Sequence, residues 1–327
     1  MRIAITGGSG SLGRALVTRL IADGADRIVT FSRDEAKRAA LHRDFGAHPG
    51  FRACAGDVRD RDRLVSLFRG CDVVLHGAAR KVVTAHPDEP EELLKTNVLG
   101  TVNVIEAAAQ AGVGRVLIVS SDKAVEAINC YGVSKAMAEH LAVASNVRLF
   151  PRGTRVAVVR YGNVLASSGS VVQLWRDQLA RGERLQVSDD RMTRFWLSLP
   201  QAAGFVLEAI ARLRGGEIFV PHLPAAPLLT LAQALAGDFP DGDGPLGIGI
   251  GIRPGGEKLH ESLLSESEIR RARQASAFYV VAPYQHDEMW DSRPWTGELV
   301  DPALRYRSDV WPWQLSVAEM RALLEEA

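Results

Sequence analysis

Four glycines near the amino end, in Thr6-Gly7-Gly8-Ser9-Gly10-Ser11-Leu12-Gly13, constrain this chain more than any other feature. They lie between an apolar run at 2–6, which predicts a strand, and the spacing of Leu12, Leu16, Leu20 and Ile21, which predicts a helix. In that setting the GxxGxxG pattern reads as a dinucleotide turn. Gly7 permits the tight bend, Gly10 lets the main chain approach a pyrophosphate, and Gly13 lets the helix pack close to the strand. The helix N-terminus then faces the anion. A strand placed this early leaves no room for the apolar core of a signal peptide.

The same alternation continues. Strands are predicted at 27–31, 51–54, 72–76, 115–120 and 155–160, with helices around 34–44, 60–69, 91–111 and 131–145. The pattern predicts a Rossmann-type, doubly wound parallel α/β sheet with ligands at the carboxyl ends of its strands. From about residue 165 the segments shorten and fill with Gly and Pro. The expected organisation is a dinucleotide-binding domain over 1–165 and a smaller substrate domain over 166–327, with some crossing of the chain between them. Trp290, Trp295, Trp311 and Trp313 form a late aromatic group expected to serve packing.

Composition excludes several classes. Thirty-nine basic residues balance 39 acidic ones, so nothing draws the whole chain toward nucleic acid or an anionic membrane. Apolar residues at 46% and charged residues at 24% are those of a globular protein. The uncharged stretch 218–237 is interrupted by Pro221, Pro224 and Pro227, which argues against a membrane-spanning helix. Cys54, Cys71 and Cys130 are odd in number and lie in no metal-ligand spacing, so neither disulfides nor a metal site is expected, and a cytoplasmic location fits. Of the basic residues only Lys37, Lys81, Lys95, Lys123, Lys135 and Lys258 are lysines. An ammonium gives up its proton far more readily than a guanidinium, which makes a surviving Lys a candidate for proton chemistry.

The second predicted strand ends in Ser32-Arg33, where a carboxylate would suit a ribose diol and an Arg suits a 2′-phosphate. Arg33, with Lys37 a turn farther on, favours NADP over NAD. Asp57 is placed for the adenine amine, and Ala78 and Ala79 are small enough to pass beneath the cofactor. Downstream, Tyr131 and Lys135 stand one helical turn apart on one face, just after a strand ending in Ser121-Asp122-Lys123. An ammonium beside a phenol favours phenolate, a base for a hydroxyl whose carbon loses hydride.

TGGSGSLG, SRDEAKR, GDVRD, TNVLGTVNVIEAA, SSDKA, YGVSK, RYGNV, MTRF and GIRPGGEKLHE occur in the order seen in extended short-chain dehydrogenase/reductases. Over residues 1 to about 265 the chain resembles, more narrowly, the UDP-N-acetylglucosamine 4,6-dehydratases that serve polysaccharide biosynthesis. The resemblance implies that Tyr131 deprotonates the sugar 4-hydroxyl, Ser121 hydrogen-bonds that oxygen and Lys135 holds the ribose. Lys123 would be the base at C5 and Asp122 the acid for the departing 6-hydroxyl, with burial expected to keep Lys123 neutral and Asp122 protonated. An Asp-Lys pair implies inversion at C5. The candidate cofactor residues are Gly7, Gly10, Ser11, Leu12, Gly13, Ser32, Arg33, Lys37, Asp57, Val58, Ala78, Ala79 and Asn97. A homo-oligomer formed through the Tyr131 helix is also implied.

For the UDP-sugar, the resemblance implies Lys81, Asn163, Arg194, Arg253, Glu257 and Lys258, the arginines meeting the diphosphate. Several positions depart from the family pattern, including Ser121 for Thr and Ser168 for an Arg near the ligand. Two enzyme alternatives share the first steps, a 5,6-dehydratase that returns hydride to C4 and a 4-epimerase. A dinucleotide-binding redox regulator is the alternative without catalysis.

Overall fold

The computed structural model describes residues 1–81, 89–236, 248–250, 256–284 and 297–327. Six parallel strands follow the apolar runs closely: β1 (Arg2–Thr6), β2 (Arg27–Ser32), β3 (Phe51–Ala55), β4 (Val73–His76), β5 (Arg115–Val119) and β6 (Arg155–Val159). Ile3 pairs with Ile28 on one side and Val73 on the other, so the chain's first strand is central. Both faces of β1 and β4 are covered, which explains why they read as continuous apolar runs rather than as alternation.

Helices α1 (Ser11–Ala22), α2 (Glu35–Phe45) and α3 (Arg61–Phe68) make the first crossovers. Asp34 and Asp60 start the second and third by accepting the Lys37 and Arg63 amides on their side chains. The helical region expected over 91–111 comprises α4 (Pro90–Leu93), a wider π turn at Leu94–Leu99, and α5 (Gly100–Gln110). Within that turn Asn97 accepts the Arg80 N–H at 2.8 Å and donates to the Arg80 carbonyl at 3.0 Å, fixing the chain after β4. Helix α6 (Cys130–Leu149) begins at Asn129, whose side chain accepts the Gly132 N–H at 2.8 Å.

Beyond β6 come β7 (Asn163–Val164), α7 (Val171–Ala180), β8 (Leu185–Val187), β9 (Thr193–Leu197), α8 (Leu199–Arg212), β10 (Ile218–Pro221) and β11 (Ala225–Pro227). Then follow β12 (Ile248–Ile250), β13 (Ala272–Gln274), β14 (Phe278–Val281) and β15 (Glu298–Leu299). Strands β10, β13, β14 and β15 return to the main sheet, whose order is β15-β13-β14-β10-β6-β5-β4-β1-β2-β3. The smaller sheets β11-β9-β7 and β12-β8 belong to the other lobe. A second apolar core there gathers Leu165, Trp175, Trp196, Leu231 and Met320. The expected tryptophan group resolves differently: Trp311 packs on Tyr306 with ring centroids 4.3 Å apart, Trp313 is half exposed, and Trp290 and Trp295 lie outside the described residues.

Reversal of strand order between β1 and β4 opens a crevice at their carboxyl ends. The glycine turn, the segment after β4 and the Ser121–Lys123 turn all lie on that edge. Among the described residues no helix is long and apolar enough to cross a membrane.

Candidate active site

The glycine turn is built for close approach. Gly7 has φ +75°, and a Cβ there would lie 2.8 Å from the Ala78 nitrogen; one on Gly13 would lie 2.5 Å from the Gly7 oxygen. Gly10 is different, since the nearest atom to a Cβ would be 3.4 Å away, leaving its face open. It caps α1 without a side-chain bond, so the helix presents free N–H donors there. Gly8 was not among the predicted residues, yet a Cβ on it would meet the Thr30 side chain at 2.6 Å. Leu12 packs, half-buried, against the main core. Ser11 Oγ accepts the Ser168 N–H and contacts Ser168 Oγ, both at 2.9 Å. The hydroxyl expected to meet the cofactor thus holds a loop of the second lobe.

Around the end of β2, Ser32 Oγ accepts the Asp34 N–H at 3.2 Å, Arg33 is half exposed at 3.7 Å from Asp57, and Lys37 is exposed on α2. Val58 is buried beneath Gly100. Ala78 donates its N–H to Thr6 Oγ1 at 3.0 Å, and Ala79 follows it along the crevice. Asn97, expected at the cofactor, uses its amide on Arg80 and on Ser134 Oγ at 2.9 Å. Behind this edge His76 bonds Thr6 at 2.7 Å and Thr101 at 3.0 Å. Burial, aided by the Lys135 charge, lowers its imidazole to about 3 and keeps it neutral.

The turn after β5 carries Ser121, Asp122 and Lys123, the expected hydroxyl, acid and base. Ser121 Oγ donates to Asp122 Oδ1 at 2.8 Å, and Lys123 Nζ donates to the same oxygen at 3.0 Å. Asp122 is fully buried, and its Oδ2 has no hydrogen-bond partner. Gly132 lets α6 settle on this turn, because a Cβ would come within 2.3 Å of the Lys123 oxygen. Tyr131 is thereby brought beside Ser121, and Lys135 donates to the Val119 carbonyl at 2.5 Å.

Burial raises the Tyr131 phenol, while the Lys123 charge and the Ser121 hydrogen bond oppose that rise. The cation acting on the phenol is therefore Lys123 rather than the expected Lys135, whose own pKa burial lowers to about 8. The expectation that burial keeps Lys123 neutral is also corrected. Burial does lower its pKa, but the charges of Asp122 and Glu261 outweigh it, and the net shift is upward.

Glu261, at the end of GIRPGGEKLHE, is the group sequence reasoning missed. Its side chain is 2% exposed, with Oε1 3.7 Å from Lys123 Nζ and 4.0 Å from Arg194 Nε, and Oε2 3.4 Å from Lys258 Nζ. Two of the residues expected at the UDP-sugar are here engaged with the protein itself. Arg194 is buried and donates to the carbonyls of Thr193 at 2.8 Å, Lys258 at 2.9 Å and Leu259 at 3.0 Å. Lys258 is turned to the Val125 carbonyl and Glu261. In an Arg-rich chain the motifs do not reveal which cations face inward. Glu257 accepts from Ser188 Oγ at 3.5 Å, Asn163 Oδ1 is buried without a partner, Lys81 is exposed, and Arg253 lies outside the described residues.

Residues 3–283 match the family described as "Polysaccharide biosynthesis protein". The chain is 37% identical over 330 residues to the UDP-N-acetylglucosamine 4,6-dehydratase (inverting) of Campylobacter jejuni, covering 98% of this chain and 96% of that one. It is 39% identical over 281 residues to the UDP-glucose 4-epimerase of Rickettsia massiliae, covering 85% and 81%. Among solved structures, Pen from Bacillus thuringiensis superposes with a TM-score of 0.89 at 29% identity, covering 99% of this chain and 96% of that one. DesIV, a dTDP-glucose 4,6-dehydratase of Streptomyces venezuelae bound to NAD, gives a TM-score of 0.60 at 26% identity, with 67% and 75% covered.

Proposed function

Since this chain belongs to the polysaccharide biosynthesis protein family, we propose that it is a nucleotide-sugar 4,6-dehydratase acting on UDP-N-acetylglucosamine or a close UDP-hexosamine. The observation that carries this reading is the Asp122–Lys123 pair, hydrogen-bonded to each other and to Ser121 beside Tyr131. Exchange of hydride at C4 needs only the phenol and its hydroxyl partner. A further acid and base have work only if C5–H and C6–O also break.

A bound nicotinamide supplies a hydride acceptor for C4 and a hydride donor for C6. Tyr131 takes the 4-hydroxyl proton, and the resulting ketone acidifies C5–H. Lys123 Nζ takes the C5 proton while its electron pair moves into the enolate, and Asp122 gives a proton to the leaving 6-oxygen. Water departs, and C5 receives, on the face opposite Lys123, the proton that Tyr131 took from the 4-hydroxyl. The proton that Lys123 took from C5 passes to Asp122 Oδ1, 3.0 Å away, and replaces the one Asp122 lost. Ser121, bonded to Asp122 Oδ1 and beside Tyr131, holds the 4-oxygen. The Asp-Lys identity of the pair supports inversion at C5.

The finer cofactor assignment is NADP, supported by the half-exposed Arg33 at the end of β2 and by exposed Lys37. Replacing Arg33 with Ala should weaken NADP binding by about tenfold relative to NAD, as loss of an exposed charge-assisted contact worth ~1.4 kcal/mol would. Asn163 and Lys81 remain the proposed sugar contacts. A second copy of the chain is the proposed partner for α5 and α6. Val133, Met137 and Val147 are exposed on α6, beside a cavity of about 250 Å³ lined by Val102, Ile105 and Leu141.

The test is incubation of the purified protein with UDP-N-acetylglucosamine in deuterated water. A dehydratase gives a product lighter by one water with label at C5; NMR then separates a 6-methyl group from a 5,6-alkene. The Rickettsia relatives favour 4-epimerisation as the second reading, and a product of unchanged mass would establish it instead.

A further inference from the structure

Lys123 poses a problem that the dehydratase reading leaves open. An elimination base must be a free amine, yet this ammonium stands between two buried carboxylates that raise its pKa. Asp122 holds it by a 3.0 Å hydrogen bond. On the other side Glu261 Oε1 stands 3.7 Å away, an ion-pair distance that a small rotation of the lysine end closes. Glu261 is buried like Asp122, and its Oε2, 3.4 Å from Lys258 Nζ, accepts no hydrogen bond. Its main chain is clamped, with Glu261 N–H donating to Ser308 Oγ at 3.0 Å and Ser308 N–H to the Glu261 carbonyl at 2.9 Å. The carboxyl is therefore held in place with Oε1 on the side of Lys123.

Resting on that reading, we propose that Glu261 acts through Lys123 as its proton acceptor, freeing the amine before each elimination and returning the proton afterwards. One Nζ–H bond breaks and one O–H bond forms on Glu261, so a buried ion pair becomes a neutral amine beside a neutral acid. Removing two opposite charges together costs less in a desolvated site than stripping a proton from one buried group alone. The amine then takes the C5 proton. Once Nζ has passed that proton to Asp122, which lost one to the leaving oxygen, Glu261 gives its proton back to Nζ and the cluster regains its starting charge.

The groups facing Glu261 are Asp122 and Lys123 from the β5 turn, Arg194 from β9 and Lys258 from its own segment. Burial and the Asp122 charge raise the Glu261 pKa against the pull of the three cations, which suits an acceptor. Oδ2 of Asp122 has no partner, and Oε2 of Glu261 meets Lys258 Nζ at 3.4 Å without a hydrogen bond, so neither carboxylate is fully satisfied.

Glu261→Gln tests the role by sign as well as size. Loss of a relay lowers kcat for water release by about 100-fold at every pH, the low end for general acid–base catalysis. Binding of the UDP-hexosamine and appearance of reduced nicotinamide should be retained, and Glu261→Asp should restore at least part of the rate. A mere ion-pair partner predicts the reverse. Without the carboxylate Lys123 is neutral more often, so the plateau kcat is unchanged and the acid limb of the pH profile moves to lower pH. That outcome overturns the proposal, as does loss of C4 oxidation together with elimination in both variants. Wild-type protein that exchanges no C5 hydrogen overturns the dehydratase reading and the Glu261 role with it. Exchange that is the same in wild type and Glu261→Gln overturns the role alone.

Discussion

Two buried clusters in this molecule have the same composition, one cation between two carboxylates, and opposite construction. Arg160 sits between Glu139 and Glu268; its guanidinium donates to Glu139 at 2.5 and 3.0 Å, to Glu268 at 2.7 and 2.9 Å, and to the Leu263 carbonyl at 3.0 Å. Lys123 sits between Asp122 and Glu261 at 3.0 and 3.7 Å, with Asp122 Oδ2 unpartnered and Glu261 Oε2 in a 3.4 Å contact to Lys258 that is no hydrogen bond. In the first cluster the planar fork of Arg satisfies both partners and cannot release its proton, so its charge is permanent and joins α6, the end of β6 and the short helix Glu266–Ile269 before β13 into one body. In the second the cation is a Lys, which can release its proton. The difference teaches that burial and pairing alone do not decide what a cluster can do; the proposed chemistry rests on incomplete satisfaction around a titratable cation.

The sharpest way to break this comparison is Lys123→Met. It should reduce water loss by about 10³-fold or more and slow C4 oxidation far less, because the base is absent while Tyr131 loses a nearby charge but keeps its Ser121 partner. Single-turnover spectra of the nicotinamide together with product mass measure both steps, and simultaneous loss of the two would show that Lys123 is structural. Arg160→Met should act the other way round. Leaving Glu139 and Glu268 buried without their cation should cost about 3–5 kcal/mol of folding stability in urea titration, while the folded fraction retains its ratio of elimination to oxidation.

How much of this was legible in the sequence follows from the distance over which each signal acts. The glycine turn, the first six strands and the Tyr131–Lys135 spacing are local patterns, and each appears within two residues of its predicted place. Asp122-Lys123 is a neighbouring pair and was visible for the same reason. Glu261 was not, because its relation to Lys123 exists only once the segment before β13 has folded back against the β5 turn. Arg194 and Lys258 mark the complementary failure. Their motif suggested ligand contact, but whether a cation faces a substrate or a row of carbonyls is decided by packing that no spacing encodes. Of the six lysines, Lys123 and Lys258 meet around Glu261, Lys135 donates to the Val119 carbonyl, and Lys37, Lys81 and Lys95 are exposed.

The clusters should also answer pH with opposite signs. Although burial works against it, Arg160 holds the Glu268 carboxyl down at about 2, below the ordinary 4.5. A depressed carboxylate contributes stability that is present above the unfolded value and lost as pH falls through the folded one. That difference amounts to about 3 kcal/mol at 1.36 kcal/mol per unit, lost between pH 4.5 and 2. In Glu268→Gln, acid unfolding curves should lack this loss, and stability near neutrality should be lower than in wild type.

Glu261 runs the other way and gives the smallest effect. Burial raises its pKa, with the Asp122 charge adding to the rise, so it favours the folded state when protonated and loses that contribution as pH rises through the folded value. Glu261→Gln, already expected to slow elimination, should therefore leave the protein as stable as wild type in acid and slightly more stable at neutral pH. The contrast with Glu268→Gln separates the two kinds of carboxylate by thermal midpoint alone. A fall in the Glu261→Gln midpoint at neutral pH as large as that in Glu268→Gln would mean that Lys123 draws net stability from Glu261. The two clusters would then be the same device, and the incompletely satisfied carboxylates would carry no chemistry.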